Sequence, residues 1–86
     1  MSLSKTTLNF AAKRGFELVE RDGLVEVFEA ENDCEPIFLL RDEGGQFFWH
    51  GSIYLKEVVK QELPHWMKDE TAVRRVLAFV AVELAA

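Results

Sequence analysis

The chain has 86 residues, a length that fits one domain covering 1–86, and its 49% hydrophobic content excludes an intrinsically disordered chain. With a single cysteine, Cys34, it cannot form an internal disulfide. Its longest uninterrupted apolar run, residues 76–82, is too short to span a bilayer. The N-terminal residues have no apolar signal-peptide core, so we expect a soluble, cytoplasmic domain with no membrane partner.

The net charge of −5 is distributed unevenly along the chain. Residues 1–16 carry a net +3, residues 17–43 carry a net −8, and residues 44–86 are balanced. Because an acidic surface repels phosphate backbones, we expect no direct binding of nucleic acid. The acidic segment 17–43 would suit a basic protein partner, although a solvated face explains most charge runs of this kind.

A first helix is predicted from Lys5 to Arg14. Ser4 can cap its N-terminus by accepting backbone N–H groups, and Gly15 suits the left-handed position that often follows a helix. The two basic residues at its end are favoured by the helix dipole.

A β-hairpin is predicted around Asp22-Gly23, because a type I′ turn needs positive φ at both of its central residues. Pairing through this turn places Arg21 opposite Leu24. The more continuous apolar face, which we expect to face the core, consists of Phe16, Leu18, Val25 and Val27. The other face mixes apolar side chains with acidic ones.

Two further strands are predicted, from Ile37 to Arg41 and from Gln46 to His50, joined by a loop at residues 42–45. Consecutive apolar residues in the third strand are typical of a strand that is central in its sheet. Three successive aromatic residues in the fourth strand put bulk on both of its faces. We expect one face to pack in the core and the other to form an interface.

Two helices are predicted after the strands. Ser52 can cap a helix from Ile53 to about Leu63, which Pro64 would end. An alternative extends the fourth strand through Gly51 to Leu55. Asp69 can cap a last helix, from Glu70 to about Leu84, that is apolar on nearly every side.

The sequence therefore predicts an α+β fold: a single antiparallel four-stranded sheet with helices packed on one face, in the order α-β-β-β-β-α-α. The residues expected to be mostly buried are Phe16, Leu18, Val27, Leu39, Val58, Val76, Leu77 and Val80.

No residue pattern indicates a catalytic, cofactor-binding or metal site, so we expect a protein that is not an enzyme and needs no cofactor. Cys34 lies between two acids, whose charges disfavour the reactive thiolate. His50 and His65 lack the close spacing of a metal-binding pair. An acid–base role for His50, with Glu57 or Glu62 as its partner, is the third-ranked hypothesis.

Surplus apolar surface is the main indication of function, because the last helix and the second hairpin face exceed what a small monomer can bury. We expect a protein-interaction domain that acts as a homodimer or as an accessory subunit of a larger complex. The expected interface residues are Val19, Leu24, Phe28, Trp66, Phe79 and Val82. For Trp66, a hydrophobic plug beneath the neighbouring linker is an equal alternative.

The alternative function is an acidic inhibitor or immunity-type protein. Its segment 17–43 would occupy a basic, nucleic-acid-binding site on a target enzyme, because opposite charges steer association.

Overall fold

The computed structural model describes residues 3–30, 35–50 and 55–85. The described residues form three helices and five strands: α1 (Lys5–Lys13), β1 (Phe16–Arg21), β2 (Leu24–Glu29), β3 (Phe38–Glu43), β4 (Gln46–Trp49), α2 (Glu57–Lys60), β5 (Trp66–Met67) and α3 (Glu70–Ala85). The α+β class and the antiparallel sheet are confirmed, but the sheet has five strands rather than the predicted four.

The strands lie in the order in which they follow along the chain, and each is antiparallel to its neighbour. Asp22 and Gly23 have φ values of 53° and 80°, as a type I′ turn requires. The predicted hairpin register is confirmed, since Arg21 lies opposite Leu24 and Leu18 lies opposite Val27.

The second hairpin turns more tightly than predicted. Its loop is Gly44-Gly45 alone, with φ values of 66° and 90°, and β3 therefore continues to Glu43. The backbone N–H of Gly45 donates to Asp42 Oδ1 at 3.1 Å, which stabilises the turn from within the strand.

The additional strand is β5, whose two residues pair with β4. Met67 lies opposite Phe47, and Trp66 lies opposite Phe48. Two residues are too few to show the alternation by which a strand is recognised in a sequence.

The helix predicted from Ile53 to Leu63 is only one turn in the described residues. α2 begins after Lys56, which provides no side-chain cap, and ends at Lys60. The N–H groups of Glu62 and Leu63 then donate to carbonyls three residues earlier, which is the tight turn expected before Pro64. The predicted cap Ser52, the start at residue 53 and the alternative strand extension through residue 51 lie outside the described residues.

One hydrophobic core joins the inner face of the sheet to α1 and α3. Its sheet residues are Phe16, Val25, Val27, Phe38, Leu40, Phe47 and Met67, and its α3 residues are Val73, Val76, Leu77 and Val80. The hairpin face expected to face the core does so.

Of the expected core residues, Phe16, Val27, Val76, Leu77 and Val80 are buried, and Leu18 is half-buried. Two other expectations are wrong. Val58 is 64% exposed, because the short α2 directs Val59 inward instead. Leu39 is half-buried on the opposite face of the sheet, because its neighbours Phe38 and Leu40 take the inward positions.

Candidate protein-interaction surface

The outer face of the sheet is the side opposite α1 and α3. Because side chains alternate along a strand, the observed registers assign its members. They are Glu17, Val19, Arg21, Leu24, Glu26, Phe28, Leu39, Arg41, Glu43, Gln46, Phe48 and Trp66. The face mixes apolar, aromatic and charged side chains, which is the composition of many interfaces.

One row of residues crosses all five strands of this face. Each member lies directly opposite the next, in the order Arg21, Leu24, Arg41, Phe48 and Trp66. We call these five residues the outer row. The two tight turns fix the row, because each sets which residues of its hairpin lie opposite each other.

The aromatic end of the outer row is ordered by stacking. The rings of Phe48 and Trp66 have centroids 5.7 Å apart and planes that differ by 11°. The guanidinium carbon of Arg41 lies 5.3 Å from the Phe48 ring centroid, within the range of a cation–π interaction. Trp66 nevertheless remains 44% exposed, so a large, positioned aromatic surface faces solvent.

The charges of the outer face are largely paired. Arg21 Nη2 lies 2.9 Å from Glu26 Oε1, and Arg41 Nε donates to Glu43. Such exposed pairs contribute only about 0.2–1 kcal/mol each to stability. Their more important effect is that both arginines of the acidic segment neutralise acids on this face.

The structure separates the six expected interface residues into two groups. Val19, Leu24, Phe28 and Trp66 share the outer face, where Val19 and Leu24 are half-buried and Phe28 is 9% exposed. Phe79 and Val82 lie on α3; Phe79 packs against the core, whereas Val82 is 66% exposed. An interface role for these six residues stays a prediction.

Sequence reasoning missed Arg41 and Phe48 as members of this surface. Three aromatic residues in succession indicate bulk on both faces of β4, but they do not say which residue faces outward. The Gly44-Gly45 turn contained the missing signal, because a two-residue loop places Glu43 opposite Gln46 and thereby puts Phe48 opposite Arg41.

Trp66 also borders a groove of about 290 Å³ between residues 62–66 and α3. The groove is lined by Glu62, Leu63, Pro64, Trp66, Ala72, Arg75, Val76 and Phe79. Trp49 Nε1 donates to the Pro64 carbonyl at 2.7 Å and so fixes one wall of this groove. Trp66 therefore adjoins both the outer face and an apolar groove, whereas Met67 beside it is fully buried.

The other chemical candidates do not assemble a site in the described part of the chain. His50 and His65 are exposed, and no described side chain hydrogen-bonds to the His50 imidazole. No group of three or more described His, Cys, Asp or Glu side chains could hold a metal ion. Cys34 lies outside the described residues.

A polar cluster joins the N-terminal ends of α1 and α3. Glu70 Oε1 accepts hydrogen bonds from Ser4 Oγ at 2.8 Å and from the hydroxyl of Thr7, which is fully buried. Arg74 Nη1 also donates to Thr7 Oγ1 at 2.8 Å. Partial burial opposes ionisation of Glu70, but the hydrogen bonds from Thr7 and Ser4 outweigh it and hold its pKa below the ordinary value. This cluster has a structural role, because it fixes two helices to each other.

Comparisons with protein families, with curated proteins and with solved structures find no match to this chain. None of the described helices is long and apolar enough to cross a membrane.

Proposed function

We propose that this chain is a small, non-enzymatic protein-interaction domain that acts as a homodimer or as an accessory subunit of a larger complex in the cytoplasm. The outer face of the sheet is the surface on which the chain binds a partner protein, and the outer row is the centre of that surface.

The exposed stack of Trp66 on Phe48 carries this proposal. Tryptophan and arginine are enriched among the residues that dominate binding energy. Here the indole is fixed by Phe48 on a neighbouring strand, and Arg41 lies over the other ring. A partner would therefore bind a surface that is already ordered, and little conformational entropy of these side chains would be lost on binding.

The acidic inhibitor is our second proposal. It is supported by Glu17, Glu26 and Glu43, which lie on the outer face. Because Arg21 and Arg41 pair with two of these acids, the described face is less acidic than the composition of segment 17–43 suggests. Steep weakening of partner binding between low and high salt would favour the inhibitor over the interaction domain.

The test measures assembly for the native chain, for Trp66→Ala and for Val58→Ala. Val58 is a matched control, because it is an exposed apolar residue on α2 rather than on the sheet. Sedimentation velocity reports self-association, and affinity capture from native cell extract reports other partners.

We expect the native chain and the Val58→Ala variant to behave alike. If the chain is an accessory subunit, Trp66→Ala should lose the captured partner while it keeps the native circular dichroism spectrum. A native chain that is monomeric at every concentration and captures nothing that depends on Trp66 would contradict the proposal.

A further inference from the structure

The outer edge of β1 is open to pairing. β1 is the first strand of the sheet, and no backbone hydrogen bond from another described segment reaches its far side. A six-residue edge to which no other described strand pairs offers a row of backbone donors and acceptors to another strand.

The hydrogen bonds of the hairpin show which backbone groups point outward. The N–H of Ile37 donates to the Val27 carbonyl at 2.7 Å, so the backbone groups of Val27 point toward β3 and away from β1. Leu18, which lies opposite Val27, therefore directs its own N–H and C=O away from β2. By alternation, Phe16 and Glu20 do the same.

The side chains of β1 on the outer face form a self-complementary pattern. Glu17 and Arg21 lie at equal distances on either side of Val19, and all three are on the outer face. Charged residues on an edge strand usually oppose pairing. Here the opposite signs at mirror positions favour one antiparallel pairing of the strand with a copy of itself.

We propose that two copies of this chain pair antiparallel through their β1 edges, with Val19 opposite the partner's Val19 and Glu17 opposite the partner's Arg21. This inference rests on the homodimer of the proposed function. It places the contact between the two copies at the β1 edge, at the opposite end of the sheet from Trp66, so that the outer face around Trp66 serves a further partner. The two sheets become one sheet of ten strands, and the two outer faces become one continuous surface.

The chemistry of both faces suits this register. On the outer face, each Arg21 lies between Glu26 of its own chain and Glu17 of the partner subunit. On the inner side, Leu18 lies opposite the partner's Glu20, and the Glu20 carboxylate already accepts the Leu3 N–H at 2.8 Å. A shift by two residues would place Glu17 opposite Val19 in one direction or opposite Gly23 of the turn in the other, and either shift would lose both ion pairs.

An apolar groove beside the edge also favours a second copy as the occupant. It lies between α1 and β1, with Leu8, Ala12, Phe16, Glu17, Leu18 and Ala30 as its lining. In the proposed register the Leu18 end of each groove lies beside the twofold axis, opposite the partner's Glu20. Pairing of the two strands then partly withdraws the apolar Leu18 side chain of each copy from water.

The test uses two charge reversals, Glu17→Arg and Arg21→Glu, each alone and in an equimolar mixture. Alone, each variant places two like-charged pairs across the interface, so its dimer dissociation constant should rise on the order of tenfold. In the mixture, the heterodimer restores two opposite-charge pairs and should regain the native affinity. Glu62→Arg, an exposed reversal away from the sheet, is the control and should leave the dimer unchanged.

A second measurement does not depend on the strength of the ion pairs. In a Cys34→Ser background, Val19→Cys should form a disulfide-linked dimer on mild oxidation. The two copies of residue 19 form a non-hydrogen-bonded pair with Cα atoms about 4.5 Å apart, within the range that a disulfide spans.

The outcomes separate this inference from the homodimer itself. A native dimer that neither reversal weakens, or a mixture that binds no better than the separate variants, would overturn the β1 contact and leave the homodimer standing. A native chain that is monomeric throughout would overturn both.

Discussion

The indole of Trp66 lies nearly parallel to the ring of Phe48, with the ring centroids 5.7 Å apart and the planes 11° apart. The two residues are directly opposite each other on β5 and β4. This stack adds to the strand pairing and to the buried Met67 side chain in holding the two-residue β5 against the sheet. It also presents the exposed aromatic surface on which the proposed function depends.

A double-mutant cycle on Phe48→Ala and Trp66→Ala should measure a favourable coupling of about 0.5–1.5 kcal/mol in the free energy of unfolding. The expected coupling comes from the stacked geometry beyond the burial of either ring. Urea denaturation of the four proteins gives the value. Phe48→Ala combined with Val82→Ala should be additive, because Val82 is exposed near the end of α3.

Replacing Gly23 by Val should destabilise the protein by over about 1 kcal/mol, since a β-branched residue strongly resists positive φ. A Cβ at this position would meet no atom within 4 Å, so the cost comes from the backbone rather than from a clash. Gly23→Asn should cost less, because asparagine tolerates this conformation. Equal unfolding free energies for Gly23→Val and Gly23→Asn would contradict a positive φ at residue 23.

Leu77→Ala should lower the free energy of unfolding by about 2–5 kcal/mol, because Leu77 is fully buried where α3 packs on the sheet. In a domain whose total stability is about 5–10 kcal/mol, this loss is severe. The control is Val82→Ala on the same helix, which should change stability by no more than about 0.5 kcal/mol. Similar losses for both variants would show that the inward face of α3 is wrongly assigned.

Glu70 should make stability depend on pH. Its pKa is lowered in the folded protein from the ordinary 4.5, so the charged form favours folding. The contribution is fully present above pH 4.5 and is lost as the pH falls through the folded pKa. Glu70→Gln should therefore be less stable than the native chain at pH 7, and the difference should shrink in acid.

Thermal unfolding of the native chain and of Glu70→Gln between pH 7 and pH 3 measures this difference. Glu62→Gln is a suitable control, because Glu62 is exposed and lies outside the polar cluster. A gap between the native chain and Glu70→Gln that stays constant over the whole range would show that ionisation of Glu70 does not stabilise the two helix ends.

The first hairpin was predictable residue by residue because its turn is specified locally. Asp22-Gly23 fixes the loop length, and the loop length fixes every cross-strand pair in β1 and β2. Ser4 and Asp69 were predictable as helix caps for the same reason, and both accept backbone N–H groups as expected.

The parts that were missed depend on contacts between distant residues. Leu39 lies in a run of consecutive apolar residues, which shows no alternation of apolar and polar positions. Only the pairing with β2 therefore decides which residues of this run face outward. β5 is held by β4 rather than by any pattern of its own. The hydrogen bond between Ser4 and Glu70 joins residues that are 66 positions apart, so no local sequence pattern predicts it.

The central claim is that the outer face around Trp66 is the contact surface. Hydroxyl-radical footprinting tests it most directly, by comparing the dilute free chain with the complex that the chain forms in native cell extract. We predict that oxidation of Trp66 and Phe48 falls in the complex, while oxidation of the exposed Val58 stays at its free rate. A complex in which Trp66 and Phe48 oxidise as fast as in the free chain would contradict the claim.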